Sequence, residues 1–265
     1  MFDSRRLVSL GAAAGLSFWS VAGLALSPAS AAEDDAGQIV KAMSDYMASQ
    51  KTISATFDST VEVITADLEK IQFNSSGTLL LTRPDKLRAT RTGGYSDVAL
   101  VFDGKVVTIY GKNLNQYAQV DAPGSIDQMI DSLRKHGAEL PAADLLLSNV
   151  YETVMPDVVS AKHIGEGVVG GVECEHLAFR QADVDWQLWV EKGANPIPRK
   201  LVITSKAVTG APEYTVLIRD WKTDAPADDA AFTFNAPSGS QKLEPDEALA
   251  KLDELPESSA PMKGK

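Results

Sequence analysis

The chain has 265 residues, a single cysteine and a formal net charge of −11, with 44% of its residues hydrophobic and 23% charged. An acidic balance of this size opposes binding to nucleic acid or to an anionic lipid surface, both of which call for clustered Lys and Arg. One cysteine, Cys174, cannot form an internal disulfide, so the fold must stand on its apolar core.

Residues 1–32 have the three parts of an export signal. Arg5 and Arg6 give a positive start, residues 7–26 an apolar stretch loosened by Gly11, Gly15 and Gly23, and residues 28–32 the small residues of a cleavage site. Cleavage after Ala31 or Ala32 is expected. Cys174 is far from that site, which excludes a lipid-modified N-terminus. No later segment is apolar for long enough to span a bilayer. These features predict a soluble periplasmic protein made with a cleavable signal peptide and without stable membrane insertion.

After Asp34 and Asp35, residues Ala36, Ile39, Val40, Met43, Tyr46 and Met47 recur at helical spacing and predict one amphipathic helix. From Ile53 the period changes to two. Ala55, Phe57, Ser59, Val61 and Val63 share one face, and Thr56, Asp58, Thr60 and Glu62 the other, which describes a sheet with one wet face. Further strands are predicted at 71–83, 86–91, 97–102, 105–110 and 114–120, with Asp103-Gly104 marking a tight hairpin.

Ser125 and Gln128 then form a capping box ahead of Ile126, Met129, Ile130 and Leu133, a helix that ends near Gly137. A second short helix is expected from Pro141 through Leu145, Leu146 and Leu147. Strands resume at 158–164, 172–180, 185–191, 199–205 and 214–221, bringing the count near eleven. Residues 241–265 are rich in Glu, Lys, Pro and Ser and read as a flexible tail.

The motifs that could carry chemistry are weak. Gly165 to Gly170 fits G-x-G-x-x-G, but a strand follows where a nucleotide site needs a helix, so the string reads as a hairpin turn. Ser132 and Lys135 have the S-x-x-K spacing of penicillin-binding enzymes without that family's partner motifs, and fall on the wet face of a helix. Cys174 and His176 share a strand face, yet two candidate ligands do not make a metal site. A buried thiol beside a hydrogen-bonded histidine is the simpler reading. No catalytic residue, metal site or cofactor is predicted. Trp186 and Trp189 lie on opposite faces of one strand, so one packs in the core or lines a cavity while the other faces away.

Three segments resemble the LolA family of lipoprotein carriers. Residues 77–84, from Gly77 to Arg83-Pro84, resemble its G-x-L-x-x-x-R-P strand. Phe102-Asp103-Gly104-Lys105 with Tyr110 resembles its next hairpin, and residues 229–234, with Pro237 and Gly239, its closing strand. Residues 174–179 and 185–189 are similar to a group of bacterial proteins known as predicted periplasmic proteins with a LolA/LolB-like fold.

The resemblance implies a mainly β (α+β) fold: a curved antiparallel incomplete barrel of about eleven strands whose apolar face is covered by helices. It places this domain at 33–240, between the signal peptide and the tail. It further implies a cavity lined by Phe57, Val61, Leu79, Leu81 and one of Trp186 and Trp189, filled by a lipid or a lipoprotein acyl chain. Arg83 would either latch the 125–148 helices over that cavity or end its strand at solvent. The expected function is non-catalytic apolar ligand binding, or else a sensor or interaction domain of the same fold that contacts an envelope protein partner.

Overall fold

The computed structural model describes residues 29–95, 97–138, 140–223 and 225–245, with side chains from residue 35 onward. Most of the expected signal peptide and residues 246–265 of the expected tail lie outside the described residues. The chain enters through helix α1 (Ala29–Ser49), whose Ala36, Val40, Met43 and Met47 are spaced by four, three and four residues. All four are essentially fully buried, the single stripe that a 3.6-residue period requires.

Six strands follow as a meander: β1 (Thr52–Ile64), β2 (Lys70–Thr82), β3 (Lys86–Gly93), β4 (Asp97–Phe102), β5 (Val106–Gly111) and β6 (Gln116–Asp121). The β4–β5 hairpin turns at Asp103-Gly104. The Asp103 carboxylate accepts hydrogen bonds from the backbone N–H groups of Lys105 and Val106 at 2.9 and 2.8 Å, and Gly104 takes a φ of +91° that disfavours any side chain.

Helix α2 (Ile126–Lys135) is closed at its start by the capping box of Ser125 and Gln128. A 3-10 turn (Ala143–Leu146) and a five-residue helix α3 (Val150–Val154) lead into β7 (Ser160–Val169), β8 (Val172–Arg180), β9 (Val184–Glu191), β10 (Pro198–Ser205) and β11 (Glu213–Thr223).

All strands belong to one sheet, in the order β12-β6-β5-β4-β3-β2-β1-β11-β10-β9-β8-β7, where β12 is the two-residue strand Gln241–Lys242 pairing parallel to β6. β1 is therefore central, with β2 on one side and the late strand β11 on the other. The edges β7 and β12 are not joined, so the sheet is an open, mostly antiparallel barrel. Bulges at Ser54/Thr56, His163/Gly165 and Pro198/Lys200 bend its strands.

One face of the sheet carries the helices and two apolar cores. α1 packs on Leu177, Phe179, Trp186, Leu188, Val190, Leu201 and Val216. α2 packs Ile126, Met129, Ile130 and Leu133 on Ile53, Leu81, Leu87, Phe102 and Val107. Trp221 touches both cores. The opposite face of β1 is polar, and Thr56, Asp58 and Thr60 hydrogen-bond to Asp220, Ser76 and Asn74 at 2.6, 2.6 and 2.7 Å. This is the wet face that the alternation in β1 predicts.

Two expectations are corrected. Residues 229–234 do not form a closing strand. Asp228 accepts a hydrogen bond from the Ala230 N–H and starts a 3-10 turn (Asp229–Phe232) that buries Phe232, and Arg88 donates to the Ala231 carbonyl at 3.2 Å. The tail expected from 241 begins as β12 and then buries Leu243, whose N–H donates to the Tyr117 carbonyl at 2.8 Å. Helix α3 has no counterpart in the sequence prediction, because five residues are too few for a period to show.

Candidate ligand cavity

Over the β8–β10 half of the sheet the two layers do not meet completely. A cavity of about 340 Å³ remains there. Its floor is Trp186 and Leu188 of β9 with Leu201 and Ile203 of β10, residues that alternate with outward-facing ones as a strand dictates. Its roof is Val40 and Met43 of α1, Leu145 of the 3-10 turn, and Val150 and Val154 of α3. Trp186 is held flat by Phe179, their ring centroids 3.8 Å apart and their planes within 17°.

The polar atoms stand at the rim. Asp144 pairs with Arg134 of α2 at 2.7 Å, and the Gln181 side-chain amide donates to the Val154 carbonyl at 3.0 Å, tying the β8–β9 turn to the end of α3. Asp157, Gln181 and Val184 also line a shallower groove of about 630 Å³ that runs outward between residues 156–159 and 181–184.

Of the residues expected to line a cavity, Trp186 does so. Trp189 faces the other side of the sheet, where it stacks on His176 at 4.1 Å with the Lys200 ammonium 4.7 Å from its ring. Leu81 is wholly buried in the core under α2, and Leu79 packs at the margin of that core. Phe57 lies across its cross-strand partner Gly77, where an added Cβ would stand 2.3 Å from its ring. Val61 sits between Phe73 and Tyr214. The residues that do form the cavity come from α1 and β10 as well as β9. Their only mark in the sequence is the apolar stripe of the helix and the alternation of Trp186-Leu188-Val190 and Leu201-Ile203.

Arg83 ends β2 and reaches the helical segment. Its guanidinium donates through Nη1 to the Leu146 carbonyl at 3.0 Å and through Nη2 to the Leu147 carbonyl at 3.3 Å, while its backbone N–H donates to Lys51 at 2.8 Å. Burial lowers its pKa, opposed by the nearby charge of Asp127, whose carboxylate binds the N–H and hydroxyl of Ser148. The α1–α3 contact has a tie of its own, the Tyr151 N–H donating to the buried Ser44 hydroxyl at 3.1 Å.

Cys174 is fully buried, and desolvation chiefly pushes its thiol above the usual range, so it is protonated and inert. His176 bonds Gln187 at 3.0 Å. His163 bridges Asp35 of α1 at 2.5 Å and Glu175 of β8 at 2.8 Å. Gly165 to Gly167 lie in β7, and Gly170 and Gly171 make the turn to β8. Among the described residues, no group of three or more His, Cys, Asp or Glu could hold a metal, and no helix is long and apolar enough to cross a membrane.

The family model described as "Predicted periplasmic protein (DUF2092)" matches residues 36–244. No curated protein matches. Similar solved structures include an uncharacterized conserved protein from Thermus thermophilus, at 13% identity over 79% of this chain and 99% of that one, with a TM-score of 0.46. LprF from Mycobacterium bovis is similar at 12% identity over 77% and 98%, with a TM-score of 0.45. A LolA superfamily protein from Nitrosomonas europaea is similar at 11% identity over 75% and 97%, with a TM-score of 0.38. The family match spans most of the chain, and the chain belongs to that family.

Proposed function

As a member of the predicted periplasmic family, the chain is, we propose, an exported, soluble, non-catalytic protein that binds an apolar ligand, such as a lipid or a lipoprotein acyl chain. Its leader is removed after Ala31 or Ala32, within the first turn of α1, so the mature protein starts with the remainder of that helix. The observation that carries the binding reading is the apolar hollow of about 340 Å³ between α1, α3 and strands β9 and β10. That volume falls within the ~300–1,000 Å³ of ordinary small-molecule sites. Each buried methylene contributes about 0.8 kcal/mol, so a chain of roughly ten carbons gains about 8 kcal/mol before the cost of immobilising it.

Arg83 is the latch in this reading. Its two hydrogen bonds hold the 3-10 turn that supplies Leu145 to the roof. Uptake of a fluorescent fatty-acid analogue, together with native mass spectrometry of protein purified from a periplasm, tests the proposal. Wild type is expected to take up the probe and to carry co-purifying lipid. Leu201→Trp, which fills the floor, is expected to remain folded and to lose uptake. A lipid-free wild type with no uptake sinks the reading.

A second reading rests on the β7 edge, where Ile164 and Val168 are exposed and Val159 lies just before the strand. An exposed apolar edge of this kind suits contact with an envelope protein partner. Co-purification of a partner that is lost on Ile164→Lys and Val168→Lys would favour it.

A further inference from the structure

Resting on the proposed binding reading, we infer that the ligand is a single-chain amphiphile that enters tail first and leaves a neutral or cationic head in the groove between residues 156–159 and 181–184. The cavity and the groove adjoin, and both are bordered by Asp157, Gln181 and Val184.

Volume sets the number of chains. The inner cavity, at about 340 Å³, lies at the small end of the ~300–1,000 Å³ of ordinary ligand sites, a size that suits one chain. A longer chain must continue into the groove.

The charges at the exit set the head. Asp157 and Asp183 border the groove, both exposed, and neither has an ion-pair partner among the described residues. The cations nearby are committed elsewhere. Arg134 is bound to Asp144, and Lys206 to Asp185 at 2.7 Å and to the Gln181 carbonyl at 2.6 Å. Arg180 stands 3.4 Å from the same Asp185 carboxylate. Asp157, Asp183 and Asp185 outnumber Lys206 and Arg180, so an anionic head placed here meets a net negative charge at the boundary of an apolar space, where charges are screened less than in open water. A quaternary ammonium or a polyhydroxyl head meets no such repulsion.

The test is titration calorimetry with three probes that share one chain: dodecyltrimethylammonium, dodecyl maltoside and laurate, each below its micelle concentration. The cationic and neutral probes are expected to bind with 1:1 stoichiometry and at least tenfold tighter than laurate. In Asp157→Asn/Asp183→Asn the preference for dodecyltrimethylammonium over laurate is expected to fall toward one, and raised salt is expected to narrow it in wild type. Laurate binding as tightly as the other two, or a preference untouched by the double variant, overturns the head assignment while leaving the cavity reading intact. A stoichiometry of two or more overturns the single chain. If none of the three binds, or if all bind equally to Leu201→Trp, it is the proposed function that fails.

Discussion

The two halves of the helix-covered face have the same layers and opposite outcomes. Under α2, Ile126, Met129, Ile130 and Leu133 meet Leu81, Leu87, Phe102 and Val107, and all eight are at most 2% exposed. Under α1 the facing side chains are Ala36, Val40, Met43 and Met47, and a hollow persists above Trp186, Leu188 and Leu201. The filled half is roofed by one ten-residue helix with a capping box. The hollow half is completed by a 3-10 turn and a five-residue helix held by hydrogen bonds from Arg83 and Gln181, by the Ser44 hydroxyl accepting from Tyr151, and by the Arg134–Asp144 pair. A helix that brings branched and long side chains at every turn closes a layer. Short elements held by scattered polar ties present fewer apolar side chains to the sheet and leave space.

That contrast is sharpest in stability. Phe102→Ala, in the filled half, is expected to cost ~3–5 kcal/mol by opening a new void, whereas Leu201→Ala, beside a void already present, is expected to fall at the low end of the ~2–5 kcal/mol for Leu→Ala. Urea unfolding of the two variants measures this, and equal losses would erase the distinction between the halves.

Arg83→Leu comes next. It leaves the Leu146 and Leu147 carbonyls without their charged donor, an expected loss of ~1.5–3 kcal/mol. Probe uptake is expected to accelerate as the roof loosens, and an unchanged rate removes the latch. Ser125→Ala, which breaks the capping box of α2, is expected to cost ~1 kcal/mol and leave uptake alone, since that helix roofs the filled half.

The smallest effect is electrostatic. His163 faces Asp35 from α1, Glu175 from β8, Glu166 on its own strand, and Lys192, which binds Glu166 and lies 3.9 Å from Glu175. Burial lowers its pKa, but the hydrogen bonds to Asp35 and Glu175 outweigh this and raise it above the usual imidazole value. The folded state thus holds the proton more tightly than the unfolded one. The stabilisation is complete below the ordinary imidazole pKa and is lost as pH rises through the raised one. The gap in urea midpoint between wild type and His163→Gln is expected to narrow from pH 6 upward. A gap that is flat with pH would show that the α1 contact does not depend on the imidazolium.

Much of the scaffold was legible in the sequence because it is written in local signals. β4 and β8 occur at the predicted 97–102 and 172–180, the capping box sets α2, and Asp103-Gly104 turns its hairpin. The family-like closing strand at 229–234 was not, since the side chain of Asp228 captures the next backbone turn. The cavity was the least legible part. Periodicity says which face of β9 carries Trp186 and which Trp189, but not which face the helices cover. Nor does it say that Phe57 will lie over Gly77 instead of reaching into a hollow. Those outcomes depend on matching volumes between segments far apart in the chain.

The central place of β1 reaches beyond the finished molecule. Its first neighbour, β2, follows at once, while its second, β11, begins at Glu213. A chain growing from its N-terminus can zip the first six strands as they emerge, yet the bare hydrogen-bonding edge from Ile53 to Val61 must wait for the last long strand. Until then the nascent protein presents an open strand edge on which any other extended chain could settle.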